Sequence, residues 1–167
     1  MMSLVFGIDP GPTRSAWFIL DIEGAPLHWA LEPNDAVRDR CRLIADDTLS
    51  WRVVIERIES FGMTVGAETF DTAVWVGRFM ECVGPERVTL RSRRAVKLDL
   101  CGHVRAKDPD VRQALIDRFG GKDIAIGRKA NPGPLYGVHA DCWSALALAL
   151  TYRDSLGLST TSGVGSD

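Results

Sequence analysis

Ser3-Leu4-Val5-Phe6-Gly7-Ile8-Asp9 is a short apolar run that ends in an acid, and Pro10-Gly11-Pro12 breaks it at once. A run of this length bounded by turn residues reads as a buried strand. Residues 15–22, Ser-Ala-Trp-Phe-Ile-Leu-Asp-Ile, read as a second strand. Glu23-Gly24-Ala25-Pro26 turns the chain, and Leu27 to Leu31 reads as a third strand. Three strands joined by short turns make a meander.

Beyond the meander the period changes. Asn34 or Asp35 is placed to cap a helix through about Asp46, with Ala36, Val37, Cys41, Leu43, Ile44 and Ala45 at helical spacing. Trp51 to Glu56 then repeats the first theme, a short apolar strand ending in an acid. A loop with Ser60, Phe61, Gly62, Met63 and Gly66 leads to a helix predicted from about Thr69 to Cys82. That helix is apolar on nearly all sides, the pattern of a helix central to a fold or shared with a partner chain. Arg87 to Leu90 predicts another strand, followed by the basic cluster Arg91-Ser92-Arg93-Arg94. Asp108-Pro109 opens a helix with Asp as cap and Pro at its first position, and Gly120-Gly121 ends it. Asn131-Pro132-Gly133-Pro134 reads as a loop, and His139-Ala140-Asp141 opens a last helix to about Arg153. The segment 157–167, rich in Ser, Thr and Gly, reads as a disordered tail. The order predicts one α/β domain over residues 1–156, with a mixed five-stranded sheet (the antiparallel meander, then parallel strands) and helices on both faces.

The 167 residues are enough for one domain with a real core, and 46% hydrophobic with 25% charged residues is ordinary globular composition. No apolar run approaches the ~20 residues of a membrane span. The start, Met1-Met2-Ser3-Leu4, has neither the basic region nor the cleavage pattern of a signal peptide, so a cytoplasmic location is expected. Cys41, Cys82, Cys101 and Cys142 form no C-x-x-C pair and read as reduced, mostly buried residues rather than a zinc site. The net charge of −2 hides an asymmetry: residues 87–129 hold twelve bases against five acids, a net +7, leaving −9 for the remainder. A basic block on an acidic chain suits a phosphate grip beside carboxylates that hold metal, or a merely solvated basic face.

Three acids fall at the ends of elements: Asp9 and Glu56 at strand ends, Asp141 in the first turn of the last helix. Each alone has a plainer role available, as turn former, ion-pair partner of Arg57, or favourable charge at a helix start. Together in apolar contexts they are costly to bury unless they share a cation. Oxygen-only ligation selects Mg²⁺ or Mn²⁺, and two such ions ~3.5–4 Å apart can activate water and stabilise the leaving oxygen of a phosphodiester.

Four motifs in order carry a resemblance. They are Gly7-Ile8-Asp9-Pro10-Gly11, then Val53-Val54-Ile55-Glu56 with Arg57-Ile58, then Arg93-Arg94-Ala95-Val96-Lys97 through Gly102 to Ala106-Lys107, and last Asp141-Cys142-Trp143-Ser144-Ala145. The chain resembles the RuvC family of Holliday junction resolvases, on the RNase H-like fold, over roughly residues 4–153. The resemblance implies that Asp9, Glu56 and Asp141 bind Mg²⁺ or Mn²⁺, two ions per site, and that Lys97 and Lys107 contact or polarise the scissile phosphate. It implies cutting of four-way DNA by paired nicks that leave a 5′ phosphate, by a homodimer formed through the apolar helix. Arg93 and Arg94 join the expected DNA contacts, and Phe61, with Met63 nearby, stands where similar enzymes wedge an apolar loop residue against bases.

There are departures. The family usually carries a second acid, or an acid paired with His, three residues apart at the start of the last helix; the position three after Asp141 here is Ser144. His139 stands on the other side of Asp141, as a fourth ligand or a simple surface residue. Three carboxylates still suffice in the RuvC domains of some RNA-guided nucleases, which this end motif also resembles. The short segment before Glu56 fits a divergent, phage-type member. Three rivals stand beside the resolvase. One is an actin-like ATPase or sugar kinase, which also starts with Gly-x-Asp-x-Gly but needs two duplicated domains. Another is an inactive junction-binding protein. The third is a nuclease of the same fold acting on another branched DNA or on RNA in a hybrid.

Overall fold

The structure, a computed structural model, describes residues 3–157. The elements are β1 (Ser3–Asp9), β2 (Arg14–Asp21), β3 (Pro26–Pro33), α1 (Asn34–Asp46), β4 (Ser50–Arg57), α2 (Ala67–Val83), β5 (Val88–Ser92), α3 (Arg93–Cys101), α4 (Asp108–Arg118), α5 (Lys122–Ala125), β6 (Gly127–Arg128), β7 (Asn131–Pro132) and α6 (Cys142–Ser155). The main sheet runs β3-β2-β1-β4-β5. β1, β2 and β3 pair antiparallel as the predicted meander, and β4 and β5 join on the other side of β1 in parallel. The expected mixed five-stranded sheet is the observed one.

Strand alternation divides the core. Phe6, Ile8, Val53 and Ile55 pack with residues of α1 and α2 on one face. Val5, Phe18 and Val54 pack with α3, α4 and α6 on the other. Helices therefore cover both faces. α6 is the central helix: Ala145 to Leu150 are all buried, against β1 and β2. α2 does not take the central place its composition allowed. It buries Thr72, Val76, Phe79 and Val83 and leaves Phe70 and Val74 exposed.

Several local expectations are corrected. Residues 93–101, whose sequence shows a basic cluster and no clear helical period, form helix α3; Ser92 caps it, its hydroxyl accepting from the Ala95 N–H at 3.1 Å. Neither Asn34 nor Asp35 caps α1, because Pro33 holds the cap position and the Asn34 side chain is turned to another task. α4 is capped at Lys107 rather than Asp108, which is its first helical residue; the Lys107 N–H donates to Asp110 Oδ2 at 2.8 Å. Asn131-Pro132 is no plain loop, since it pairs with Gly127-Arg128 as a two-stranded hairpin. Of the tail expected to be disordered, residues 158–167 lie outside the described residues.

Candidate functional site

Asp9 and Glu56 meet because β1 and β4 are parallel neighbours. Ile8 pairs with Ile55, so Asp9 and Glu56 are the next step along, and alternation turns both toward the α6 face. Gly7, one alternation earlier on that face, is what lets α6 approach. A Cβ at Gly7 would lie 2.7 Å from the Ala145 carbonyl oxygen and 2.9 Å from the Ala149 Cβ. The close approach carries the start of α6, with Asp141 at its cap position, to the end of β1.

A buried polar clamp holds the turn after Asp9. The Gly11 N–H donates to Ser15 Oγ at 3.2 Å, the Ser15 hydroxyl donates to Asn34 Oδ1 at 2.6 Å, and Asn34 Nδ2 donates to the Gly11 carbonyl at 2.9 Å. This is the task that removes Asn34 from capping α1. At the other side of the site, Ala140 has a φ of 45°, alone in the left-handed region among the described non-glycine residues. Such a conformation costs an L-residue ~1–2 kcal/mol, and it sits immediately before Asp141, where strain is most often kept for function.

The electrostatics centre on two carboxylates, Asp9 and Glu56, with Asp141 exposed to solvent beside them. Burial, then Glu56, then Asp141 push the Asp9 carboxyl well above its ordinary value; Arg93 and a hydrogen bond from Ser144 pull the other way. Burial also raises Glu56, while Arg93 and a hydrogen bond with Asp9 draw it back. The Arg93 guanidinium bridges two elements, with Nη1 3.8 Å from Glu56 Oε2 and Nη2 2.6 Å from Asp108 Oδ1. Elsewhere burial lifts the Cys41 thiol to about 12 and the Cys142 thiol to about 11, so neither is a nucleophile. All four cysteines are free.

The structure thus places Glu56 and Asp141 within electrostatic reach of Asp9, short of a closed cluster, and adds Arg93, Asp108 and Ser144 around them. His139 is exposed near Asp141, its Nδ1 3.0 Å from the Gly137 carbonyl oxygen. Lys97 is half-buried, close enough for its charge to act on Glu56. Lys107 is exposed at the N-terminal end of α4. Arg94 lies on a separate side, its guanidinium 5.7 Å from the centre of the Phe61 ring. Phe61 and Met63 are 57% and 75% exposed, which removes core filling as their role. Arg93, expected at DNA phosphate, is engaged with carboxylates, and the Arg93–Asp108 pair joins two helix starts that no sequence spacing connects.

Among the described residues, no three His, Cys, Asp or Glu side chains stand at metal-holding distance. The donor set nonetheless fits a hard divalent cation. It is all oxygen around Asp9, where burial first, and the neighbouring Glu56 and Asp141 after it, disfavour a carboxylate that lacks a cation beside it.

No family model matches the sequence, and no curated protein does. Solved structures do. A Thermus thermophilus RuvC structure is similar over 93% of this chain and 97% of its own, with a TM-score of 0.67 and 19% identity. T. thermophilus RuvC in complex with a Holliday junction substrate is similar over 93% of this chain and 96% of its own, with a TM-score of 0.64 and 20% identity. The chain has a RuvC-like fold. Among its described residues no helix is long and apolar enough to cross a membrane.

Proposed function

We propose that the chain is a divalent-metal-dependent endonuclease that resolves four-way DNA junctions by paired nicks. The observation that carries this reading is the placement of Glu56 and Asp141 within electrostatic reach of the buried Asp9 carboxyl, at the end of the central strand of a RuvC-like fold. The solved complex of a structural neighbour with a Holliday junction substrate supports branched DNA as the class.

Asp9, Glu56 and Asp141 would hold Mg²⁺ or Mn²⁺, two ions per site, with His139 beside Asp141 as a fourth donor. When bound, the ions supply an activated water and stabilise the leaving 3′ oxygen, leaving a 5′ phosphate. Ser144, hydrogen-bonded to Asp9, and Arg93, beside Glu56, orient the two carboxylates and favour their charged forms against burial. Lys107, at the positive end of α4, and Lys97 offset the charge of the phosphate. Arg94 binds DNA backbone, and Phe61, held out from the surface in front of it, wedges between bases at the branch.

A panel of substrates tests the choice of DNA. Cutting in Mg²⁺ is expected on a four-way junction at least about tenfold faster than on a flap, a duplex or an RNA–DNA hybrid, the specificity that ~1.4 kcal/mol of differential binding yields. Equal or faster cutting of the flap or hybrid would assign the same chemistry to a different substrate.

The exposed pair Phe70 and Val74, one turn apart on α2, supports a homodimer through that helix. Two sites related by a two-fold axis suit two symmetric nicks. Sedimentation should give a dimer for the native chain and a monomer for Val74→Glu. A native monomer at micromolar concentration contradicts the dimer.

A further inference from the structure

A cavity of about 750 Å³ opens between α3, α4 and α6, with Glu56, Asp141 and Ser144 at its edge. Its interior has a different chemistry from the carboxylates. Val96, Val111, Ile116, Val138 and Trp143 line it, and each keeps 6 to 9% of its surface open. These side chains belong to the larger core cluster, and the cavity bares a small part of each. Lys97, Arg112 and Lys122 line it as well, and Arg93 and Asp108 line it as a pair, Arg93 being held by Asp108 and Glu56. The Arg112 guanidinium lies 4.9 Å from the centre of the Trp143 ring.

A sugar-phosphate backbone explains the basic rim but gains nothing from apolar walls. A flat aromatic group attached to a phosphate accounts for both. We propose that the cavity receives one nucleobase, turned out of the stack, from the strand whose phosphate lies at the carboxylates. The volume falls within the ~300–1,000 Å³ of ligand pockets. Turning a base out costs a few kcal/mol, and least where the base is already poorly paired, as at a branch point. Burial of the base face and stacking against the planar Arg112 cation offset that cost. The shared edge makes the occupant part of the bound strand rather than a free nucleotide. This inference rests on the nuclease reading and adds a base-selective step to it: the cavity prefers some bases over others at one position beside the cut.

An abasic scan tests it. Four-way junctions each carry one abasic nucleotide, at successive positions from the branch, and binding is measured in EDTA so that no cutting intervenes. Three proteins are compared: the native chain, Ala147→Phe, which fills the cavity from α6, and Gln113→Trp, which obstructs it from the exposed side of α4. Circular dichroism melts establish that each is folded, and Gln113→Trp carries the comparison if Ala147→Phe is not. One abasic position is expected to weaken native binding at least about fivefold, the low end of base-stacking effects, and to have no effect in the obstructed proteins. The proposal is overturned if no position matters for the native chain, or if the same position matters equally in the obstructed ones. Failure of the native chain to bind any junction overturns the nuclease reading itself.

Discussion

Asp9→Asn is expected to cut at least about a thousandfold more slowly than the native chain, to bind a junction about as tightly, and to melt higher in metal-free buffer. The loss comes from the role proposed for Asp9: metal ions supply several kcal/mol of charge stabilisation, and each ~1.4 kcal/mol is a factor of ten in rate. The gain in stability has a separate cause. Burial, Glu56 and Asp141 raise the Asp9 carboxyl in the folded chain, so at neutral pH its ionisation opposes folding. A raised pKa contributes stability that is fully present below the unfolded value of 3.8 and is lost as pH rises through the folded value. Asn has the same shape and never ionises, so it removes that loss. A melting temperature above that of the native chain is therefore expected at pH 7 in EDTA. The gap should narrow as pH falls toward 3.8, and Mg²⁺ should stabilise the native chain more than the variant. A variant that melts below native at pH 7 in EDTA contradicts the electrostatic account, whatever its activity.

Gly7→Val is expected to damage both fold and site from a position that carries no chemistry. The added Cβ would sit 2.7 Å from a backbone carbonyl of α6 and 2.9 Å from a buried methyl, neither of them the movable end of a flexible side chain. Overpacking costs about 1–3 kcal/mol, and contact with backbone points to the upper end, a melting temperature lower by ~6–12 °C. The helix can give way only by moving off β1, and Asp141 and Ser144 move with it. A shift of ~1 Å at a catalytic group costs about a hundredfold. Single-turnover cutting at about 20 °C, where the variant is still folded, should therefore fall about that far, and Gly7→Ala should fall in between on both counts. Native stability and rate in Gly7→Ala would mean that α6 does not depend on this contact.

The legibility of this chain tracked the range of the interactions involved. The strands of the meander, β4 and α6 were readable because their signals are local: apolar runs stopped by turn residues, and an alanine-leucine helix after Asp141. The nearness of Asp9 and Glu56 was readable because each ends a strand, and parallel pairing of β1 with β4 makes those ends neighbours. What escaped depends on contacts across the chain. Asn34 looks like a cap, but its side chain is taken by Ser15 and by the Gly11 carbonyl, 23 residues away. Arg93 looks like a phosphate contact in a basic cluster, yet Glu56 and Asp108 hold it. α3 was hidden because its charged residues mask a short helix that buries only Val96. α2 is rich in apolar residues, but composition alone does not say which of them the rest of the chain covers, and Phe70 and Val74 stay outside.

The most direct measurement uses a four-way DNA junction end-labelled on each strand in turn, incubated with the native chain in Mg²⁺, in Mn²⁺ and in EDTA. The account predicts paired nicks at symmetric positions on opposing strands, with 5′ phosphate ends, in either metal and none in EDTA. Binding of the junction without cutting in any metal would contradict it, leave a recognition protein that no longer cuts, and make Ser144→Asp the first substitution to try for restoring activity.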